Sequence, residues 1–233
     1  RSEIEGAVAD ADIIILCAPV NTNREMLPGI LDTIAGTHKV VVDMGSTKVG
    51  IANAVEHHPA RGRFVASHPM AGTEYSGPLA ALENLFDYKT GIICDKEKSD
   101  PDALALVEQL YATIKMRMIY MPSYEHDIHV AYVSHISHIT SFALALTVID
   151  KEKDEKNIFD LAGGGFESTV RLAKSNAATW TPIFFQNAQY ISEAIDTYLI
   201  KMQAFKEAII TKDTEKLKEL MDTANQIAKI LNK

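Results

Sequence analysis

Short apolar runs alternate with stretches of helical periodicity through the first half of the chain, and this alternation constrains the fold more than any other feature. The runs cover residues 13–17, 39–44, 64–67, 91–94 and 116–120. Runs of this kind, rich in β-branched residues, are typical of strands buried on both faces of a parallel sheet with helices above and below it. The sequence therefore predicts a doubly wound parallel α/β sheet over residues 1–121.

The pattern changes at Pro122, after which we find no convincing strand. Two stripes of apolar residues recur at helical spacing. The first comprises Ile191, Ala194, Ile195, Tyr198, Leu199, Met202, Phe205 and Ile209, and the second comprises Leu217, Leu220, Met221, Ala224, Ile227, Ala228 and Leu231. Such stripes form a core or a subunit interface more often than a cofactor site. We therefore expect residues 122–233 to be an all-helical domain that pairs two subunits.

The composition excludes several classes of protein. A chain of 233 residues, 47% of them hydrophobic, is long enough for one large or two modest domains. The formal net charge of −8 argues against nucleic-acid binding, so an anionic ligand would need a few local cations. Cys17 and Cys94 lie in apolar runs and are expected to be reduced core residues of a cytoplasmic protein. We find no signal peptide and no apolar run of membrane-spanning length, and we expect no membrane association.

His68 stands where the third apolar run breaks at Pro69 and Gly72. The ligand crevice of an open α/β sheet lies at the carboxyl ends of its strands, and histidine titrates near neutral pH. His68 is therefore a candidate general base. The alternative is a histidine that only closes a strand end through a hydrogen bond to the backbone.

Two further segments carry groups that suit a binding site. Residues 43–48 lead from a strand end into a helix, whose N-terminus favours an anion, although simple capping by Ser46 or Thr47 would also explain them. Residues 163–165 are consecutive glycines, which indicate a close backbone approach or a break, and Arg171 follows them. Arginine binds carboxylates in a bidentate manner; the alternative is a surface loop with a solvated arginine.

Four histidines raise the question of a metal site. At about 100° per residue, His126 and His129 are expected to point away from His135 and His138, so one helix does not gather all four. No carboxylate or cysteine completes a site around His135 and His138, and we therefore expect no metal. One of that pair is expected to line a pocket, the alternative being a packed, hydrogen-bonded histidine.

The chain contains no Gly-x-Gly-x-x-Gly motif, which forms the phosphate-binding turn after the first strand of a dinucleotide-binding fold. The first run looks like a middle strand of such a sheet. Either the fold is of another type, or the sequence begins inside it and residues upstream of Arg1 are expected.

Together these residues resemble the prephenate dehydrogenase family, which includes arogenate and cyclohexadienyl dehydrogenases. The resemblance follows the family order and rests on Ala18-Pro19-Val20, Asp43-x-Gly45-Ser46-x-Lys48, residues 67–77, His126-Asp127, Ser134-His135-x-x-His138, residues 163–171 and Trp180. It implies part of a doubly wound, Rossmann-like sheet followed by an all-helical dimerisation domain that forms a homodimer.

The resemblance also implies an activity, the nicotinamide-dependent oxidative decarboxylation of prephenate to 4-hydroxyphenylpyruvate in tyrosine biosynthesis. NAD is the expected cofactor, with NADP as the alternative. His68 would accept the proton of the ring hydroxyl, Ser46 would orient His68 or the nicotinamide, and Arg171 would bind a substrate carboxylate. The implied substrate-binding residues are Thr73, Glu74, His138, Gly164 and Arg171, and the implied cofactor-binding residues are Ala18, Pro19, Gly45 and Ser46.

The sequence departs from the family at two places. Ser168 stands where many members carry an aspartate, and Asn176-Ala177 replaces a frequent Asp-Pro pair. Three other functions remain open at this point: an arogenate dehydrogenase, a β-hydroxyacid-type dehydrogenase, and a non-catalytic module without the phosphate-binding turn.

Overall fold

A computed structural model describes residues 4–73, 75 and 77–231. Its sheet has five strands, which are β1 (Ile13–Leu16), β2 (Val40–Asp43), β3 (Phe64–Pro69), β4 (Thr90–Cys94) and β5 (Arg117–Met121), side by side in that order. The pairs β1–β2, β2–β3 and β4–β5 are parallel. The predicted α/β sheet followed by helices is therefore confirmed.

One strand pair differs from the predicted parallel arrangement. β4 runs antiparallel to β3, with Ala66 opposite Cys94 and His68 opposite Ile92. A parallel neighbour needs a crossover, usually a helix, to bring the chain back to the same edge of the sheet. The described part of the connection from Met70 to Lys89 contains only a short 3₁₀ turn, Pro78–Ala80, so the chain returns in the opposite direction.

In the described part of the chain, four helices accompany the strands and seven follow them. The first set comprises α1 (Ile4–Val8), α2 (Val20–Thr33), α3 (Val49–Ala54) and α4 (Pro101–Thr113). The second set comprises α5 (Ser123–Val130), α6 (Ile136–Asp154), α7 (Gly164–Val170), α8 (Ala177–Gln186), α9 (Ala188–Thr211), α10 (Thr214–Asn225) and α11 (Ala228–Leu231). A π-helical turn, Ala131–His135, joins α5 to α6 into one continuous helical stretch.

The sheet separates two apolar clusters because successive side chains of a strand point to opposite faces. Leu27 and Leu31 of α2 pack with Val41 on one face. Val107 of α4 packs with Val42 on the other face. The central strands are thus covered on both sides, as their unbroken apolar sequence predicts.

β1 and its carboxyl end are less buried than predicted. Ile15 is 46% exposed, and Cys17 is exposed while Cys94 is buried. The expectation that both cysteines lie in the core is therefore wrong for Cys17. The reason is position, because β1 pairs only with β2 in the described sheet and Cys17 opens onto a cavity.

The helical region leaves much of its apolar surface exposed. Ile191 and Ala194 of α9 are buried, whereas Leu199 and Met202 of the same predicted stripe are exposed. The stretch Ser123–Asp154 is long and apolar enough to cross a membrane, since an 18-residue window within it has a mean hydropathy of 1.4, contrary to the sequence expectation that no such run is present. Only 17% of that window is buried, but the polar residues His126 and Asp127 of the stretch are buried and hydrogen-bonded to each other.

Candidate active site

A cavity of about 700 Å³ lies at the carboxyl ends of β1, β2 and β3, between the sheet and the helical region. This is where an open α/β sheet places its ligand. Strand ends and the segment after β3 form one wall, and the π-turn, α8 and the segment after α7 form the other. The cavity therefore has one wall from each region of the chain.

The structure brings five of the predicted site residues to this cavity. They are Ser46, His68, Thr73, His138 and Arg171, and Trp180 lines it with them. These residues come from positions up to 134 apart in the sequence, counting from Ser46 to Trp180. Only the tertiary structure brings these residues together, and no local sequence pattern predicts it.

Other predicted site residues lie elsewhere. Gly164 begins α7 and does not line the cavity, and neither do Ala18 and Gly45. Pro19 lines a neighbouring cleft of about 840 Å³ between α2 and α8. Glu74 is outside the described residues.

His68 ends a chain of three hydrogen-bonded side chains. Its Nδ1 lies 2.8 Å from Nε2 of His126, and Nδ1 of His126 lies 2.7 Å from Oδ1 of Asp127. The Asp127 carboxylate also accepts the backbone N–H groups of Lys48 and Val49, at 2.8 and 2.9 Å. It is thus held as an acceptor by three donors.

These contacts determine which nitrogen of each ring carries the proton. A carboxylate only accepts, so His126 carries its proton on Nδ1 and presents a lone pair at Nε2. His68 must then donate from Nδ1, which leaves the lone pair of its Nε2 on the cavity side. A neutral histidine held in this tautomer is ready to accept a proton from a ligand.

Burial keeps this histidine cluster neutral. Desolvation, helped by the nearby positive charge of Lys48, lowers the pKa of His68 well below 6.5. Desolvation also lowers the pKa of His126, against the opposing effect of Asp127. The same cause lowers the pKa of His135 to about 4. At neutral pH all three rings are therefore uncharged.

The π-turn corrects the expected directions of the histidines. The sequence interpretation placed His126 and His135 on opposite sides of a regular helix. Both are fully buried, and the side-chain amide of Asn187 donates to Nδ1 of His135 and to the backbone carbonyl of Asp127. A π-turn holds more residues than an α-turn, so the residues after it are rotated relative to a regular helix.

The opposite wall carries the cation and a stacked ring pair. Arg171 follows α7, and the ring of His138 stacks on Trp180 with centroids 3.4 Å apart. Nδ1 of His138 donates to the backbone carbonyl of Ser134 at 3.1 Å, so its Nε2 is an acceptor. Burial lowers the pKa of His138, helped by the charge of Arg171.

The glycine triplet lies at a break in the helical region, one of the two predicted explanations, because Gly163 precedes α7 and Gly164 begins it. A Cβ at Gly163, Gly164 or Gly165 would meet no described atom within 4 Å, and none of the three has a positive φ. Neither a close approach within the described chain nor a left-handed turn explains these glycines. Ser168, which replaces the frequent aspartate, donates to the carbonyl of Gly165.

Several residues of the site carried no role in the sequence interpretation. Asp127 and Lys48 were visible only as letters of family motifs, and Asn187 gave no signal. Among the described residues, no group of three histidine, cysteine or acidic side chains could hold a metal ion.

A nucleotide-binding type of sheet, a helical second region and a neutral histidine at the strand ends define a dehydrogenase-type architecture. Family models give the same class: one described as "Prephenate dehydrogenase, nucleotide-binding domain" matches residues 2–120, and one described as "Prephenate dehydrogenase, dimerization domain" matches residues 122–223. The chain belongs to the prephenate dehydrogenase family, which confirms the predicted family and fold.

Individual relatives agree with this family. The cyclohexadienyl dehydrogenase of Zymomonas mobilis is 28% identical over 93% of this chain and 74% of its own length. The prephenate dehydrogenase of Bacillus subtilis is also 28% identical over 93% of this chain, but only 59% of its own length is covered. The chain thus spans about three fifths to three quarters of these two relatives.

Solved structures show the same similarity. Prephenate dehydrogenase from Aquifex aeolicus superposes with a TM-score of 0.87 at 30% identity, covering 97% of this chain and 80% of that one. A second structure of the A. aeolicus enzyme, in complex with hydroxyphenyl propionate and NAD+, gives a TM-score of 0.83 at 28% identity, with coverage of 100% and 81%.

Proposed function

We propose that this protein catalyses the NAD-dependent oxidative decarboxylation of prephenate to 4-hydroxyphenylpyruvate, with His68 as the general base. The observation that carries the proposal is the Asp127–His126–His68 chain, which leaves one basic nitrogen facing a cavity that also holds Arg171. Prephenate offers the matching groups, a ring hydroxyl to deprotonate and carboxylates to anchor.

His68 can act as a base because its proton is held on Nδ1 and its Nε2 is unprotonated. Nε2 of His68 takes the proton of the ring hydroxyl, and the resulting imidazolium keeps donating from Nδ1 to His126. His126 in turn donates to the Asp127 carboxylate, which is fixed by two backbone N–H groups. The positive charge that develops on His68 is therefore stabilised by a preorganised chain of acceptors.

The strand ends suit a nicotinamide ring. When bound, NAD supplies the hydride acceptor for the ring carbon that bears the hydroxyl. Ser46 lines the cavity and makes no hydrogen bond to His68, which is oriented by His126, so Ser46 is available to position the nicotinamide. Gly45 leaves little room for a larger residue, because a Cβ there would lie 3.0 Å from Oδ2 of Asp43 and 3.1 Å from Val20.

The far wall holds the substrate in place. Arg171 provides a bidentate donor for a carboxylate, and Thr73 adds a hydroxyl on the sheet side of the cavity. Because loss of CO₂ makes the ring aromatic, the protein needs mainly to position and deprotonate a dianion. Glu74 and Gly164 stay predictions as substrate contacts, as do Ala18 and Pro19 as cofactor contacts.

One observation favours a second substrate, arogenate. Nε2 of His138 can only accept a hydrogen bond, and prephenate has no donor besides the hydroxyl assigned to His68. Arogenate carries an ammonium group in place of the ketone. An enzyme of this family that uses both substrates is therefore the second candidate.

Steady-state assays with prephenate and arogenate, each with NAD and NADP, test these proposals. We expect turnover of prephenate with NAD, and His68→Asn should lower kcat by roughly 10²–10⁴-fold with little change in KM. Absence of turnover with every pair would refute the proposed function. Wild-type turnover by His68→Asn would remove His68 from the mechanism.

The same reasoning extends to assembly and location. Exposed apolar residues on α6, α9 and α11, including Leu146, Leu199 and Ile230, suit contact with a second copy of the chain through the dimerisation domain. The free thiols and the biosynthetic reaction suit the cytoplasm, and the reaction would serve tyrosine biosynthesis.

A further inference from the structure

Lys48 is a lysine without solvent contact, next to the proposed base. Its side chain is 0% exposed. Its Nζ pairs with the Asp43 carboxylate and donates to the backbone carbonyl of Ser67 at 2.5 Å. Burying an ammonium group is costly, and an apolar side chain of similar volume often gives equal stability, so stability alone does not account for this residue.

The two ends of Lys48 contact the two ends of the hydrogen-bonded chain. The backbone N–H of Lys48 donates to Oδ1 of Asp127, the far end of the chain. Its ammonium group holds the carbonyl of the peptide that joins Ser67 to His68, the near end. One residue therefore fixes the distance between the carboxylate and the base, although these lie on different regions of the fold.

The carboxylate partner of Lys48 supports this arrangement. Asp43 accepts the backbone N–H of Ser67 at 3.2 Å and that of Gly45 at 3.1 Å. The hydroxyl of Ser67 donates to the Asp43 carbonyl at 2.8 Å. The carboxyl ends of β2 and β3 are thus tied together directly beneath the cavity.

We propose that Lys48 is a positioning residue, which holds the peptide carrying His68 and the Asp127 carboxylate in register so that Nε2 of His68 stays aimed into the cavity. The proposal rests on the proposed function of His68 as the base. It assigns no substrate contact to Lys48, whose ammonium group is enclosed by the strand ends.

The charge of Lys48 also acts on His68, and other groups act on the same ring. Lys48, His126 and His135 all disfavour protonation of His68. Among the described residues, the charged and titratable groups around His68 are Asp43 at the end of β2, Lys48 before α3, His126, Asp127 and His135 from the helical stretch, and His138, Arg171, Cys17 and Tyr111 around the cavity. Replacing Lys48 by an uncharged residue removes one of the groups that disfavour protonation of His68.

The test compares Lys48→Met with Lys39→Met. Lys39 is a matched control, because its Nζ also donates to two backbone carbonyls, those of Ala9 and Ala11, at the other end of the strands. We expect Lys48→Met to lower kcat by about 10–100-fold, part of the 10²–10⁴-fold typical of a general base, with KM changed less than about threefold. Lys39→Met should keep kcat within about twofold of wild type.

A second readout does not depend on turnover. Loss of the positive charge should raise the pKa of His68, which moves the acid limb of kcat/KM and the NMR titration of the labelled imidazole to higher pH. If Lys48→Met does not fold, Asp43→Asn combined with Lys48→Met removes the unpaired carboxylate, and kcat should still fall at least tenfold.

Two outcomes would overturn the proposal. The first is a folded Lys48 variant with the kcat of Lys39→Met; the second is a fall in kcat without movement of the His68 titration, which would make Lys48 a purely structural cross-link. Failure of the proposed function has a different signature, since the wild-type protein would then turn over neither prephenate nor arogenate.

Discussion

The buried side chains of the sheet region are mainly apolar, whereas those of the helical region are polar and apolar in similar number. In the sheet, Val41, Phe64 and Val65 have no solvent contact, and the sheet has apolar clusters on both faces. In the helical region, many of the buried side chains are polar, among them His126 and Asn187, while apolar ones such as Leu199 are exposed. The inner face of the helices is thus built for the site, and their outer face is suited to a partner.

This difference separates three effects that a substitution can have. A substitution in the sheet core should act through the stability of the subunit. A substitution on the inner helical face should act through the chemistry, and one on the outer face through assembly. Each of the following predictions tests one part of this division.

The largest effect is expected from the inner helical face. Asp127→Asn should lower kcat by roughly 10²–10⁴-fold, because an amide no longer selects the tautomer of His126 and so releases that of His68. The measurement is steady-state turnover of prephenate with NAD. His129→Asn, on the same helix but outside the hydrogen-bonded chain, is the control. Equal rates for the two variants would contradict the proposed role of the Asp127–His126–His68 chain in turnover.

The next effect separates the sheet core from the outer helical face. Phe64→Ala should lower the free energy of unfolding by about 3–5 kcal/mol through loss of a buried ring, without changing the oligomeric state. Leu199→Glu should instead convert a dimer into a monomer by placing a charge on the exposed face, with the circular dichroism spectrum retained.

Urea denaturation and light scattering check this pair of variants. Lys201→Glu, which places a carboxylate elsewhere on α9 and changes the net charge by two units where Leu199→Glu changes it by one, is the control for the second variant. A wild-type monomer at micromolar concentration would show that the exposed apolar face of the helices does not pair two copies.

A smaller effect is expected from Arg171, the positively charged side chain that lines the cavity. Arg171→Ala should chiefly raise KM, by a loss of about 1.5–3 kcal/mol for a charged hydrogen bond, or roughly 10–150-fold. Lys174→Ala is the control, because Lys174 is exposed and does not line the cavity. Its Nζ lies 3.7 Å from Oε1 of Glu167. An unchanged KM together with a lower free energy of unfolding would show that Arg171 stabilises the cavity wall and does not bind the substrate.

The last effect concerns the pH dependence of stability. The pKa of His135 is lowered to about 4 by burial, below its value in the unfolded chain. The unfolded state therefore binds the proton first as the pH falls, and stability that is complete above about pH 6.5 is lost toward pH 4, by at most about 1.4 kcal/mol per pH unit. Urea midpoints at pH 7.5 and 5.0 should differ less for His135→Gln than for wild type.

The sequence by itself determined the order of strands and helices and the class of protein. Apolar runs such as residues 39–44 specify buried strands because no other placement removes so many β-branched side chains from water. His68 and Arg171 were candidates because a titratable ring stands at a strand end and a cation follows a glycine-rich segment, whereas the role predicted for Ser46 came from the family resemblance. These are local signals, readable within about ten residues of each position.

Only the tertiary structure decided how the base is held. His126 meets His68 across 58 positions of sequence, and Lys48 meets Asp127 across 79. Helical periodicity predicted the wrong direction for His126 relative to His135, because a π-turn changes the rotation per residue and apolar spacing does not reveal it. The direction of β4 and the exposure of Cys17 were likewise set by which strand lies beside which. Hydrogen bonds between residues far apart in sequence form only once the fold is packed, so the properties of the separate segments do not predict them.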